Sequence, residues 1–205
     1  MARYRGPRIK VCRALGTILP GMTTKSSLQR PFRPGQHGGS RAGKASDYKE
    51  RLMEKQKLRF HFGILEKKFK RYVSEATRQK GATGSNLISL LESRLDNVVW
   101  RLGLASTIPA ARQLVVHGHI LINGSRVDRP SYHVSVNTEI TIKKKTLSKS
   151  FMQEALENSA SRVRPPYLTF DVAEAKGVMT TQPNREDLPF EIDLQKIIEF
   201  YSQQL

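Results

Sequence analysis

Residues 1 to 44 contain ten Lys or Arg side chains, eleven Gly or Pro residues and no Asp or Glu. A segment of that composition has too little apolar surface to offset the entropy of ordering it. It is therefore expected to be an extended basic arm that takes shape only against a polyanion. Gly and Pro in Tyr4-Arg5-Gly6-Pro7 and in Pro34-Gly35-Gln36-His37-Gly38 suit close, irregular approach of the backbone to phosphates.

The asymmetry continues along the chain. Residues 1 to 80 carry 21 basic and 5 acidic side chains, a net of +16, whereas residues 151 to 205 carry 5 and 9, a net of −4. The whole 205-residue chain stands at +17. Self-repulsion on that scale opposes compaction, so a nucleic acid is the expected counterpart of the amino-terminal part, and the acidic tail is expected to have another job. No apolar run approaches the ~20 residues of a membrane-spanning helix, and no apolar h-region follows the basic start, so no membrane partner is expected. The single Cys12 cannot form an intrachain disulfide, which fits a reducing compartment.

Helical periodicity begins at Asp47, with Ser46 or Asp47 as N-cap, and places Arg51, Lys55 and Arg59 along one face. A second helix reads from Ile64 to Gln79 with Leu65, Phe69, Tyr72, Val73 and Ala76 as its apolar stripe. Gly81 and Gly84 break that pattern, and a domain boundary is expected shortly after them. Leu87, Leu91, Leu95, Val98 and Leu102 then share one face of a helix spanning Asn86 to Leu102, with Arg94, Asn97 and Arg101 clustered on the adjoining face. Gly103 ends it; Ser106 or Thr107 caps a further helix from Pro109 to Val116, which closes at His117-Gly118.

Ile120-Leu121-Ile122 followed by Asn123-Gly124 is a hairpin signal, because both turn residues tolerate positive φ. Thr138 to Ile142 alternates as a strand and leads into Lys143-Lys144-Lys145. Beyond it a short helix is expected over Phe151 to Asn158, an extended piece over Tyr167 to Phe170, and a last helix from about Asp193. For that helix packing on residues 47 to 79 is favoured, since that basic region has too few apolar partners of its own, and an interface with a neighbouring protein is the competing reading.

The run Leu91-Glu92-Ser93-Arg94-Leu95-Asp96-Asn97-Val98-Val99, then Ala111-Arg112-Gln113-Leu114-Val115, then His117-Gly118-His119-Ile120, resembles the small RNA-binding module named after ribosomal protein four of the small subunit. Outside that module, Tyr4-Arg5-Gly6-Pro7, Pro34-Gly35-Gln36-His37-Gly38, Glu54-Lys55-Gln56-Lys57 and Glu199-Phe200-Tyr201-Ser202 resemble signatures of the bacterial-type family itself, in the same order. The resemblance covers nearly the full chain. It implies a structural constituent of the small ribosomal subunit that binds 16S-type ribosomal RNA early in assembly, touches neighbouring ribosomal proteins, influences decoding accuracy and lines the mRNA entry. Segment Thr107 to Ala111 is similar to cyanobacterial and plastid relatives and Gly81 to Gly84 to bacterial ones generally; a bacterial, cytoplasmic ribosome is the expectation.

Residue by residue, the expected ribosomal RNA contacts are Arg3, Tyr4, Arg5, Arg8, Arg33, Gln36 and His37 in the arm, Arg51, Lys55, Lys57 and Arg59 on the first helix, and Arg94, Asn97, Arg101, Arg112, Gln113 and His117 in the module. Arg41 and Lys44 match the basic residues expected at the mRNA entry. Some relatives hold zinc with four amino-terminal cysteines; this chain has Cys12 alone, so no metal and no other cofactor is expected.

Arg94-Leu95-Asp96 also resembles the catalytic tripeptide of pseudouridine synthases. It lies inside a helix of the binding module with no catalytic domain behind it, so Asp96 is read as a structural partner for a nearby Arg, and no enzymatic activity or small-molecule substrate is expected. His117, His119 and His133 lack the Cys or acidic neighbours that would complete a metal site. Phe69 and Tyr72 are assigned to a core, whereas the residues leave Trp100 equally open to base stacking and to packing.

These readings combine into an α+β protein of three parts. Residues 1-44 form the extended basic arm, residues 45-90 plus 156-205 a mainly helical domain, and residues 91-155 a module of two helices on a short antiparallel sheet.

Overall fold

The computed structural model describes residues 4–25, 30, 32–40, 45–160 and 162–202, with the side chain of residue 160 outside that set. The expected contacts Arg3, Arg41 and Lys44 lie outside the described residues. Two compact units are formed, one by residues 1–87 with 188–205 and the other by residues 88–187. No helix among the described residues is long and apolar enough to cross a membrane.

The first unit is helical. Helix α1 spans Arg8–Leu15, α2 spans Asp47–His61 and α3 spans Glu66–Arg78. Helix α4, Thr83–Glu92, carries the chain across the division at Leu87. Ser46 caps α2 as expected, its hydroxyl accepting from the Lys49 amide at 3.3 Å. Phe69, Val73 and Ala76, the stripe expected on α3, are fully buried, whereas Leu65 of that stripe is exposed.

Residues 1-44 are not a wholly extended arm. Pro7 precedes α1 and Gly16, at φ 66°, follows it, so the helix is delimited by residues suited to its two ends. Cys12 and Leu15 from α1, with Leu19 and Met22 beyond it, form a buried cluster against Met53, Phe60 and Phe190. The apolar residues are few, but they recur at helical spacing and find a ready surface on α2.

The second unit is built on a five-stranded antiparallel sheet in the order β2-β1-β3-β5-β4. Helix α5, Leu95–Arg101, and α6, Ile108–Val116, precede β1, Ile120–Ile122, and β2, Ser125–Arg126. β3, Glu139–Ile142, is followed by α7, Lys144–Leu147, and α8, Ser150–Ala160. β4, Leu168–Asp171, and β5, Lys176–Met179, complete the sheet. The β1–β2 turn has Asn123 at φ 47° and Gly124 at φ 78°, the double positive φ for which an Asn-Gly pair is suited. Thr107 caps α6 by accepting from the Ala110 amide at 3.3 Å.

Two expectations about this unit require correction. The helix read as continuous from Asn86 to Leu102 is two helices: the chain leaves α4 at Glu92, Arg94 is extended and bridges His133, and the Val134 amide donates to the Ser93 carbonyl at 2.8 Å. Leu87, Leu91, Leu95, Val98 and Leu102 are all buried, so the apolar period survives the break that the backbone makes. The second correction concerns residues 156 to 187. They belong with the module, because the β4–β5 hairpin pairs with β3 through Glu139↔Val178, Ile140↔Gly177 and Thr141↔Lys176.

The last helix, α9, Leu194–Ser202, buries Leu194, Ile197, Phe200 and Tyr201 and packs on α2 and α3, the favoured of the two positions expected for it.

Candidate nucleic-acid interface

The cations divide into those neutralised within the protein and those presented to solvent. On α2, Arg51 pairs with Glu199 at 3.0 Å, Lys57 with Glu54 at 2.5 Å, and Lys55 with Glu66 at 2.9 Å. Lys55 is buried, with its ammonium 4.7 Å from the Phe200 ring centre, and Arg59 lies over Phe60 while reaching Glu66 at 3.7 Å. Tyr201 also donates to Glu66. Burial works to raise the Glu66 pKa, but the Tyr201 and Lys55 hydrogen bonds and the charges of Lys55 and Arg59 leave it lowered. The face read as a row of phosphate contacts is therefore largely a row of internal ion pairs, and Lys55 in particular is corrected to a structural role.

The same holds at the start of the module. Arg94, Asn97 and Arg101 are buried and do not share an exposed helix face. Arg94 donates to both oxygens of Asp96, at 3.1 Å and 2.7 Å, and Arg112 donates twice to Asp96 Oδ2, at 3.0 Å and 2.7 Å. The Asn97 amide also donates to Asp96 Oδ1 at 3.0 Å. Asp96 is thus a structural partner for two arginines, buried and saturated with donors, and offers no open carboxylate for nucleophilic chemistry.

Glu92 organises a second buried network. Its Oε2 accepts from Asn97 Nδ2 at 2.6 Å, Arg101 Nε at 3.1 Å and the Tyr167 hydroxyl at 2.7 Å, while Oε1 accepts from Arg101 Nη2 at 2.6 Å. Arg101 further donates to the Asp187 carbonyl at 2.8 Å. Burial alone would lower the Arg101 pKa; the Glu92 charge and hydrogen bonds reverse this and raise it. Burial and the same carboxylate push the Tyr167 hydroxyl well up. Trp100, open from sequence, is a core residue: it is buried, and the guanidinium groups of Arg101 and Arg162 lie over its ring with their central carbons 5.1 Å and 4.9 Å from its centre.

What remains for a partner is exposed. In the amino-terminal part, Arg5, Arg33, Gln36 and His37 are exposed, Tyr4 is half-buried with its ring edge on Phe60, and Arg8 is half-buried with a bond to the Met22 carbonyl. In the module, Gln113 and His117 are exposed and Arg112 is half-buried. Sequence reasoning did not assign as RNA contacts the exposed cations Lys67, Lys70, Arg71 and Arg78 on and beside the outer face of α3, or Arg126, Arg129, Lys143, Lys144, Lys145 and Lys149 around the sheet of the module. Their signal was available: Lys143-Lys144-Lys145 is a bare charge run, and the α3 residues fall outside its apolar stripe. Among the described residues, no group of three or more His, Cys, Asp or Glu side chains is placed to hold a metal ion.

Comparison with known proteins adds the decisive observation. Residues 3–92 match the family described as ribosomal protein S4/S9 N-terminal domain, and residues 93–140 match the S4 domain. The chain is 47% identical over 203 residues to the small ribosomal subunit protein uS4 of Brevibacillus brevis, covering 99% of this chain and all of that one. It is 48% identical to the uS4 of Geobacillus kaustophilus over the same coverage, and 47% identical over 206 residues to that of Enterococcus faecalis, with both chains covered completely. The chain belongs to the uS4 family. Within that family frame, the division between the two matched segments falls at Glu92 and Ser93, where α4 ends and the buried ion-pair networks of the S4 domain begin.

Proposed function

We propose that the protein is a structural constituent of the small subunit of a bacterial-type ribosome and that it works by binding ribosomal RNA. Membership of the uS4 family over the full chain carries this reading. The surface supplies a physical basis: one compact unit displays basic residues along α3, the other displays them around β2, α7 and the start of α8, and internal pairing withdraws many of the rest. A surface of that kind grips phosphates of a folded RNA and reads its shape more than its base sequence.

Two finer assignments belong to the same proposal. The protein binds the 16S-type RNA as an early, primary ligand that nucleates the subunit body and then contacts neighbouring ribosomal proteins. It also contributes to decoding accuracy and to the mRNA entry, where Arg41 and Lys44 are the candidate contacts. A framework of rigid, internally paired helices bearing a solvent-facing cationic layer supports the first assignment; the family resemblance supports the second. The family's structural role and the donor-saturated Asp96 favour a binding protein over an RNA-modifying enzyme.

Titration of a small-subunit RNA transcript with the full chain tests the proposal. Affinity is expected to fall by about three to five orders of magnitude between about 50 and 200 mM salt if ~6–10 phosphates are neutralised. A transcript that remains unbound at low salt, or a flat salt response, overturns it.

A further inference from the structure

In the second unit a cleft of about 590 Å³ opens between α6 and α8, floored by Leu104, Ala105, Leu114 and Ala155. That volume and apolar lining are those of a small-molecule site rather than of a packing defect. One wall is a row of three rings: His117 and His119 have their centres 6.0 Å apart, and His119 and Phe151 6.4 Å apart. Phe151 is 44% exposed at the start of α8, so its ring is accessible from solvent. Gln113 from α6 and Glu154 from α8 line the same space, offering an amide donor and acceptor and a carboxylate acceptor.

The charge around the cleft is cationic. Lys149 has its ammonium 5.9 Å from the Phe151 ring centre, and the Lys143 amide donates to the His119 carbonyl at 2.9 Å. His119 itself is bound to Thr146 through Nδ1 at 2.9 Å, and its pKa is lowered by burial first and then by Lys149, His117, Lys143 and Arg126. A neutral imidazole beside a phenyl ring makes a stacking wall, and exposed lysines at its edge suit a phosphate.

We propose, resting on the RNA-binding role above, that this cleft receives one unstacked nucleobase of the bound ribosomal RNA. The base lies against Phe151 and His119, its Watson–Crick edge meets Gln113 and Glu154, and its flanking phosphate meets Lys149 and Lys143. The Glu154 carboxylate can accept only from a donor, so the base is oriented with an N–H of its Watson–Crick edge, an exocyclic amine or a ring imino group, toward Glu154. A stacked, amide-read base gives the module a point of sequence preference within an otherwise shape-reading interface.

The test uses the full chain and a transcript of the small-subunit RNA 5′ domain. Ultraviolet crosslinking followed by peptide mapping is expected to place a nucleotide adduct on the peptides holding Phe151 or His119. Phe151→Ala and Phe151→Leu are expected to weaken binding about five- to 150-fold at fixed salt, with the salt slope unchanged, and Phe151→Trp to restore it. Leu keeps the apolar bulk, so a packing role predicts that Leu and Trp behave alike. Wild-type binding with unaltered affinity in Phe151→Ala, equal effects of Leu and Trp, or adducts confined to other peptides overturns the base-insertion site and leaves the RNA-binding role standing. Absence of wild-type binding overturns both.

Discussion

Arg112 on α6 and Arg94 ahead of α5 converge on one carboxylate, Asp96, each with its closest nitrogen 2.7 Å from Oδ2. Arg94 and Asp96 are nearly sealed from solvent and Arg112 is half-buried, so the charges of the inner pair are tolerable only together. Asp96→Asn is expected to destabilise the module by about 3–5 kcal/mol, because it leaves the buried Arg94 guanidinium and the half-buried Arg112 guanidinium without the negative charge they share. Urea unfolding followed at equilibrium checks this; a midpoint within error of wild type would show that the pair is solvated in solution.

Arg94→Ala combined with Arg101→Ala follows from the same geometry. RNA affinity is expected to drop in step with the folded fraction, since neither guanidinium faces solvent. Binding measured alongside circular dichroism separates the two cases: weak binding by a fully folded double variant would return these residues to the interface.

Tyr167→Phe removes one of three donors to Glu92 Oε2, which is fully buried. The cost is expected to be about 1–3 kcal/mol, read as a lowered Tm. Tyr167 in the native state has a raised pKa, so the stability it lends is complete below its ordinary value of 10.0 and is lost as pH climbs beyond that. The difference in Tm between wild type and Tyr167→Phe should therefore shrink in alkaline buffer, and a constant difference would contradict the assigned hydrogen bond.

Glu66 behaves in the opposite sense. Its native pKa is depressed, so its contribution is present above the ordinary value of 4.5 and disappears as acidification protonates it. Glu66→Gln is expected to flatten the acid limb of the stability profile of the helical unit while leaving the neutral region less stable than wild type. Parallel acid limbs in the two proteins would sink the prediction.

Lys143, Lys144 and Lys145 are exposed beside the sheet of the module. Replacing all three with Gln is expected to weaken RNA binding without altering the fold and to reduce the magnitude of the log–log salt slope by about 2–3, roughly one for each phosphate no longer neutralised. An unchanged slope removes this cluster from the interface.

Local chemistry was readable in the sequence, and long-range pairing was not. Ser46 and Thr107 announce their helices because a hydroxyl at an N-cap satisfies an amide three residues on, and Asn123-Gly124 announces its turn through φ alone. Arg94 and Arg101 look like contacts because a guanidinium on paper carries no record of its carboxylate; Glu92 and Tyr167, which complete the network, stand 75 positions apart. The break at Ser93 is invisible for a related reason. Leu91 and Leu95 keep helical spacing across it, and it is backbone contact with the distant segment Pro130 to Val134 that accompanies the break. β5, Lys176-Gly177-Val178-Met179, shows no polar–apolar alternation in its residue types, although its burial alternates once it is paired with β3 and β4. For the interface, the exposed lysines were available to counting, but which cations stay outside depends on where the carboxy-terminal helix lands, since Glu199 takes Arg51 and Lys196 takes Glu50.

Trp100 is the sole tryptophan of the chain and is packed in the core of the second unit with two guanidinium groups over its ring. Its fluorescence is consequently a built-in reporter for that unit alone, silent toward the helical unit, which holds only phenylalanine and tyrosine as conventional chromophores. Emission and far-ultraviolet dichroism recorded on one denaturation series will superimpose if the two units melt as a single cooperative block and will separate if each follows its own transition.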